Sequence, residues 1–378
     1  MSAHWTRAML GGLLATALVL SGACSSDDSG SGSADDTGGD SSGIPEAADA
    51  VEELTVRPTE IVQTTPLDGE VPSGLTAAWL QCSIPDCEIL GPPLEEALQE
   101  FGWSMDTIDA GITPEEVKSG WGLAAEQNPD AVFATGFPTS IYSDELAQLA
   151  ASDTPVIQGF IAETAGNGVS AVIAGTSTSE AIGEAFANWV LAERGEDANV
   201  LLVHSSTFPT LVDVRNGFES RYSELCADCE VEVLDVPAES FGADLPAEVV
   251  AKLQSNPEIN YVVADEGNML LGLPQAMETA GITDVPVIGQ YPSETSIEYL
   301  TDGSIVKAIV MPRMTDAMWA MTDAMARTFT GQSVEEDESA GPLWIVTPET
   351  AGELEVPYHL VEGYQEQYGE LWSGVTGG

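Results

Sequence analysis

The sequence predicts an α/β protein made of two doubly wound parallel-sheet lobes with a ligand cleft between them. Three observations lead there. From Gly74 onward, short apolar runs alternate with longer amphipathic stretches, the pattern of βαβ units around a parallel sheet. That alternation runs through twice without repeating its residues, which divides the body into halves of similar size. The body is also long enough, at about 335 residues beyond a polar tether, to bury two cores. With 43% of the chain hydrophobic, it does not have the composition of a disordered protein.

Taken in order, the chain opens with a leader. A basic start ending at Arg7 precedes the apolar run Ala8–Leu20 and the small residues Ser21-Gly22-Ala23, and Cys24 follows. This is the pattern of a bacterial lipoprotein signal peptide, although Ser21 stands where Leu is commoner. The apolar run is too short to span a bilayer, which takes about 20 residues. Residues 1–23 are therefore expected to be removed. Cys24 would then anchor the mature chain by lipid to the outer face of the cell membrane. Residues 24–43 read as a flexible acidic Ser/Gly/Asp tether, and 44–73, with isolated apolar positions and four prolines, as an extended lead-in.

In the first half, β-branched and aromatic runs predict strands over 75–80, 103–108, 131–134 and 155–157. Helical periodicity predicts helices over 94–101, 115–127 and 143–151 between them. In the second half, strands are expected over 169–174, 199–204, 229–236, 261–264, 285–289 and 304–311. The helices that separate them fall at 178–194, 211–225, 246–254, 270–280 and 296–300. A helix over 315–328 follows, and the tail through 344–346 and 358–372 is expected to cross back over the body. No membrane span interrupts the two lobes.

Composition removes several function classes. The chain carries 62 acidic residues against 10 basic ones, a formal charge of −52, and only three of the ten are Lys. Phosphate-backbone recognition needs a basic surface, so nucleic acid is excluded as a partner. Adhesion to anionic lipid is disfavoured for the same reason, which leaves the lipid at Cys24 to supply membrane affinity. The excess is a property of a solvated surface, of the kind suited to a saline habitat where screening blunts self-repulsion. With so many carboxylates, chance acid pairs carry no catalytic information. The three His are His4, His204 and His359, and no nucleophile elbow, zinc-protease helix, phosphate loop or dinucleotide fingerprint is present. No catalytic residue, metal or cofactor is assigned.

Beyond Cys24, the cysteines fall into two close pairs, Cys82/Cys87 and Cys226/Cys229. Outside the cytoplasm such pairs read as two local disulfides, with one shared four-thiolate zinc site as the alternative. In open parallel sheets, ligands sit beyond the carboxyl ends of the strands. Cys82 follows the first strand at that end, whereas Cys226 ends a helix running away from it. The pairs should therefore lie at opposite ends of their lobes, which disfavours shared zinc.

Five short stretches, in order and at consistent spacing, then bear on family. They are Asn128-Pro129-Asp130-Ala131-Val132, Thr154-Pro155-Val156-Ile157, Arg215-Asn216-Gly217-Phe218, Val263 through Gly272 continuing to Ala280-Gly281, and Val285-Pro286-Val287-Ile288-Gly289. Over about Gly74 to Thr330 the chain resembles the type I periplasmic binding proteins, especially the ribose- and autoinducer-binding group that feeds ABC importers. The resemblance implies a three-segment hinge, with crossings near Ala174-Gly175, Met311-Pro312 and Gly341–Leu343. It also implies lobes that close on a ligand. On that frame the first lobe is 74–174 plus 312–341 and the second 175–311 plus 342–372.

The family's sugar-gripping residues do not carry over. Thr135 stands where Asn is common, Phe160-Ile161 where an Asp-Arg pair grips hydroxyls, and Arg215 lies one place late, with Val214 at the binding position. Glu266 replaces an Asn, Gln290-Tyr291 replaces the site of an Asp, and Met311 replaces a late Gln. A pocket that loses planar polar groups and gains Phe, Tyr and Met would strand a polyol's hydroxyls at about 1–3 kcal/mol each. The expected site comprises Gln81, Ser83, Thr135, Phe137, Phe160, His204, Arg215, Glu266, Asn268, Gln290, Tyr291 and Met311. Its ligand is a small molecule, a sugar or a less polar solute. Trp79, in the first strand, reads as core, and the Cys82–Cys87 loop as a rigidified binding loop or a simple staple. The resemblance implies a monomeric receptor partnered by ABC permease subunits. A sensory binding protein docking on a membrane kinase or chemoreceptor is the alternative, and an extracytoplasmic enzyme on the same lobes is the third reading.

Overall fold

A computed structural model describes residues 43–375 apart from 84 and 335–340. The expected leader, Cys24 and nearly all of the acidic tether lie outside the described residues. The lead-in does not begin extended. It opens with helix α1 (Pro45–Leu54), started by Pro45 at its first turn. Ala47 is fully buried against the second lobe, and the Ile44 N–H caps Leu191 O at 3.0 Å. The apolar positions here are mostly alanines, which is why the sequence reads as weakly patterned.

The first lobe is a five-stranded parallel sheet. Strand β1 (Thr76–Cys82) leads through the short α2 (Pro85–Glu88) and α3 (Gly91–Glu100) to β2 (Ser104–Gly111). Helix α4 (Pro114–Gln127) follows, then β3 (Ala131–Thr135), α5 (Ser143–Ala151), β4 (Val156–Gly159) and β5 (Ala171–Ile173). The order across the sheet is β2-β1-β3-β4-β5. Sequence sets the helix ends directly. Thr113 and Glu116 form a reciprocal capping box ahead of α4, Pro114 occupies its first turn, and Asn128 closes it in the left-handed region at φ 51°.

The second lobe starts with the long α6 (Thr176–Arg194), followed by β6 (Asn199–His204), α7 (Pro209–Leu225) and β7 (Glu230–Asp235). Then come α8 (Leu245–Ser255), β8 (Tyr261–Ala264), α9 (Leu273–Thr279), β9 (Val287–Gln290), α10 (Glu294–Thr301) and β10 (Val306–Met311). Helix α11 (Thr315–Thr330) returns to the first lobe and packs beside β4 and β5, and β11 (Trp344–Val346) pairs antiparallel with β10. The order is β11-β10-β9-β8-β6-β7. Strands β6 and β8 are buried on both faces, so their sequences are near-continuous apolar runs. The Arg215–Phe218 motif has a packing cause. A Cβ at Gly217 would lie 2.1 Å from Glu180 O, and one at Gly183 1.9 Å from Val214 O, so α6 and α7 touch backbone to backbone only through these glycines.

Two crossings beyond the expected three link the lobes. After Thr55, whose carbonyl accepts from Trp344 Nε1 at 3.2 Å, the lead-in passes to the first lobe, where the Leu67 N–H donates to Leu371 O at 2.9 Å. The tail makes the reverse journey. A 3-10 turn at Ala351–Glu353 lies beside α10, and residues 354–363 then cross to helix α12 (Tyr364–Trp372), which packs on α11. The assignment of 342–372 to the second lobe is therefore corrected for α12. Trp372 stacks on Trp319 at 5.3 Å and meets Phe101 at 4.8 Å, both in the first lobe. Arg57 ties the two extra crossings together. Its guanidinium donates to Leu360 O at 3.0 Å, Glu353 O at 2.8 Å and His359 O at 3.1 Å, and it lies over the Trp344 ring.

Two outcomes are expected. Gly217→Ala should cost about 3 kcal/mol in urea unfolding, at the upper end for overpacking because backbone must shift; a cost under about 0.5 kcal/mol would contradict the close approach. Arg57→Ala should cost about 2 kcal/mol through its charge-assisted bonds, and an unchanged unfolding midpoint would show that the clasp contributes nothing.

Candidate functional site

The two sheets meet carboxyl end to carboxyl end. Strand β5 ends at Ile173 and α6 begins at Thr176, so two residues separate one sheet's carboxyl rim from the helix that starts beside the other's. Strand β10 ends at Met311 and α11 begins at Thr315, which repeats the arrangement in reverse. The end loops of the parallel strands therefore belong to one of two facing rims.

On the second rim, register builds a polar row. Leu202 pairs with Val263 and Val263 with Ile288, so two residues further on His204, Asp265 and Gln290 fall side by side on one face. His204 Nδ1 lies 2.5 Å from Asp265 Oδ2, with both side chains almost wholly buried. The Gln290 carboxamide donates to the Asp265 carbonyl. Burial pushes the Asp265 carboxyl up to about 6, and the hydrogen bond from His204 opposes that rise. Gln290 Oε1 and Ser205 Oγ are buried without a hydrogen-bond partner. At the end of β7, the Ser206 N–H holds the Asp235 carboxyl below the usual range.

The same rim carries Glu266 and Asn268, whose side chains bond to each other at 2.9 Å while the Glu266 carboxylate also accepts the Asn268 N–H at 2.8 Å. A Cβ at Gly267 would lie 2.7 Å from Gln290 O, so the glycine lets this loop close on the next strand. Arg215 is in the second turn of α7 and bonds Glu219 at 2.7 Å. Met311 is placed in the core rather than at an open face. It is fully buried and registers with Trp344.

The first rim is differently made. Gln81 is half-buried and accepts from Trp79 Nε1 at 3.2 Å, while Trp79 itself is fully buried core. The Ser83 hydroxyl donates to the Asp109 carboxylate, which also takes the Gly111 N–H at 2.9 Å; these bonds hold that exposed carboxyl below its usual range. Cys82 is bonded to Cys87, which places the Cys87 sulfur 3.9 Å from the Thr135 hydroxyl. Cys226 is bonded to Cys229 where α7 ends, at the opposite end of its lobe. Phe137 is half-buried, and its carbonyl accepts from the Tyr142 hydroxyl at 2.6 Å.

Two aromatic residues repeat one backbone device. Phe160 directly follows β4 and Tyr291 directly follows β9, the fourth strand of its sheet in each case when counted from β2 and β7. Both adopt left-handed backbone, at φ 53° and 55°. The Phe160 N–H donates to Ile173 O at 3.0 Å and the Tyr291 N–H to Val310 O at 3.1 Å, each on the next strand. Non-glycine residues there carry strain of about 1–3 kcal/mol, and such strain concentrates at ligand sites. Sequence reading named both aromatics but missed the strain, and it passed over Asp265, Ser205, Asp109 and Asp235. The available signal for Asp265 was an acid directly after the apolar strand Tyr261–Ala264.

The fold and facing rims define a two-lobed solute-binding protein. Residues 88–333 match the periplasmic binding protein domain, and the chain belongs to that family, of the type I class. Family members are binding proteins rather than enzymes. Among solved structures, an ABC sugar transporter subunit from Rhodobacter sphaeroides is similar at a TM-score of 0.64 and 18% identity, covering 73% of this chain and 99% of that one. A periplasmic ribose ABC transporter protein from Conexibacter woesei is similar at 0.65 and 16%, covering 75% and 95%. An ABC transporter solute-binding protein from Agrobacterium vitis with bound allitol is similar at 0.64 and 17%, covering 74% and 98%.

Asp265 yields a pH prediction. Its folded carboxyl titrates above the unfolded value, so the stability it contributes is full below about pH 4 and is lost as pH rises through about 6. Asp265→Asn removes that loss, and the variant should gain on the parent by about 1–3 kcal/mol between pH 4 and pH 7. Parallel stability–pH curves would contradict it.

Proposed function

We propose that this chain is a lipid-anchored extracytoplasmic receptor that closes on a small solute and delivers it, as a monomer, to an ABC importer. Cys24 would carry the lipid. The solute is less hydroxylated and more apolar than a typical sugar, and it sits between the rims with Phe160 and Tyr291 against it. The single observation that carries this reading is the matched pair of strained aromatics, one on each rim at the equivalent strand end. An aromatic fixed in left-handed backbone on each lobe suits a ring or alkyl face held from both sides.

Polar recognition on the second lobe centres on one row. Gln290, Ser205 and the His204–Asp265 pair offer a short row for one or two polar groups of the ligand. The related Agrobacterium protein holds allitol, a fully hydroxylated polyol. Here the Phe160 position lacks the hydrogen-bonding groups such a ligand would need on the first lobe.

A thermal-shift panel tests the proposal, with pentoses, hexoses and polyols set beside aromatic acids, short acyl compounds and sterol-like fragments. A true ligand at 100 times its dissociation constant adds about 2.7 kcal/mol and raises the melting temperature clearly. Stabilisation by the less polar set is expected, with loss of about tenfold in affinity for Phe160→Gly. A response to sugars alone would overturn the pocket reading and keep the receptor. Turnover of a panel compound would overturn the receptor itself.

A further inference from the structure

At the end of the second lobe away from the cleft, a groove of about 470 Å³ opens between the last turn of α6, the residues that lead into β9 and the start of β10. Its lining includes Glu193, Arg194, Thr283, Asp284, Ile305 and Lys307. What singles it out is where this acidic chain places its scarce cations. Beyond Arg7, the chain has nine basic residues among its 62 acids, so an acid partner is rarely far away. Lys118 is within 4 Å of Asp144 and Glu145, Arg215 pairs with Glu219, and Arg221 with Glu46 and Glu224. Lys252 pairs with Glu232, Arg327 with Asp323, and Arg57 is committed to three carbonyls. Arg313 is buried beside Asp316, where its charge opposes the rise that burial imposes on that carboxyl.

Among the described residues, that leaves Arg194 and Lys307, and they line the same groove. The Arg194 guanidinium lies over the Tyr261 ring at 5.8 Å, and its Nε is buried with no acceptor. The Lys307 ammonium donates only to its neighbour Ser304 O, at 3.1 Å. Glu193, which also lines the groove, hydrogen-bonds the Tyr261 hydroxyl, which itself accepts from Trp189 Nε1 at 2.7 Å. An unpaired buried donor is costly, and a guanidinium on an aromatic face and an ammonium that line one groove are donors suited to an oxyanion. Thr283 adds a hydroxyl donor, and Asp284 an acceptor for a donor group on the ligand.

We infer that this groove is a second binding site, separate from the cleft, for the phosphate or carboxylate group of a small soluble molecule. Arg194 and Lys307 hold the anion, and Thr283 completes its donors. The site is independent of the solute proposed for the cleft, so either can fail without the other.

Thermal shift on the mature chain carrying Cys24→Ser tests it, with inorganic phosphate and acetate each at about 10 mM. Sodium chloride at matched ionic strength is the essential control, because any salt screens a chain this acidic. Phosphate or acetate should raise the melting temperature about 2 °C beyond chloride. Arg194→Gln and Lys307→Gln should each abolish the increment, while the cleft variant Phe160→Gly keeps it. A response no larger than that to chloride, or one retained in both groove variants, would overturn the site. Co-sedimentation with phosphatidylglycerol vesicles is the second arm. Binding lost in the same two variants would mean the groove takes a lipid headgroup, which would overturn the soluble ligand.

Discussion

Everything at the cleft depends on how little chain separates the two sheets. Ala174, in left-handed backbone at φ 54°, and Gly175 are all that lies between β5 and α6. A Cβ at Gly175 would come within 2.9 Å of the Val172 side chain and 3.3 Å of Glu163 O, so the turn has room only for glycine. Because α6 must run back to the amino edge of the second sheet before β6 can begin, a two-residue link forces the carboxyl rims together. The position of each strand-end residue follows from that. The residues that meet a ligand are set by topology before they are set by chemistry.

The terminal segments act on the same junction from outside. The lead-in and the tail each hold both lobes, and they hold each other through Arg57. On the first lobe they converge on one buried ion pair. Arg327 bonds Asp323 at 2.6 Å and reaches back to Thr65 O, and Trp372 Nε1 donates to the same Asp323 at 2.8 Å. A buried pair of this kind is weak evidence for net stability, but removal of one partner leaves a charge stranded at about 3–5 kcal/mol. Here the pair fixes the register of two chain ends that carry no sheet of their own. The hinge is consequently a five-segment structure, and lobe motion must be compatible with two laced outer crossings as well as the three inner ones.

Much of this was legible in the sequence, and the rest was hidden for definite reasons. The strands β6 and β8 were readable to the residue because a strand buried on both faces shows up as an unbroken apolar run. The rim positions followed from strand ends, which is why Phe137, Phe160, Glu266 and Tyr291 could be named without coordinates. Partner choice could not be read. The His204–Asp265 pair depends on β6 and β8 lying in one register, and no local pattern states a register. Helix α1 was missed because its buried face is built around alanine. Helix α12 shows a clear aromatic stripe at Tyr364, Tyr368 and Trp372, yet the stripe does not say which lobe receives it. Met311 was named by analogy to a family position, and in this chain it is fully buried on β10 with Trp344 of β11 as its neighbour in the sheet.

The central claim is that a solute is bound between two facing rims by closure of the lobes. Small-angle X-ray scattering of the mature chain, with and without a stoichiometrically bound solute, tests that claim most directly. Closure predicts a smaller radius of gyration on binding, with the same scattering mass before and after. Saturating, stoichiometric binding that leaves the scattering profile unchanged would contradict closure and place the solute somewhere other than between the lobes.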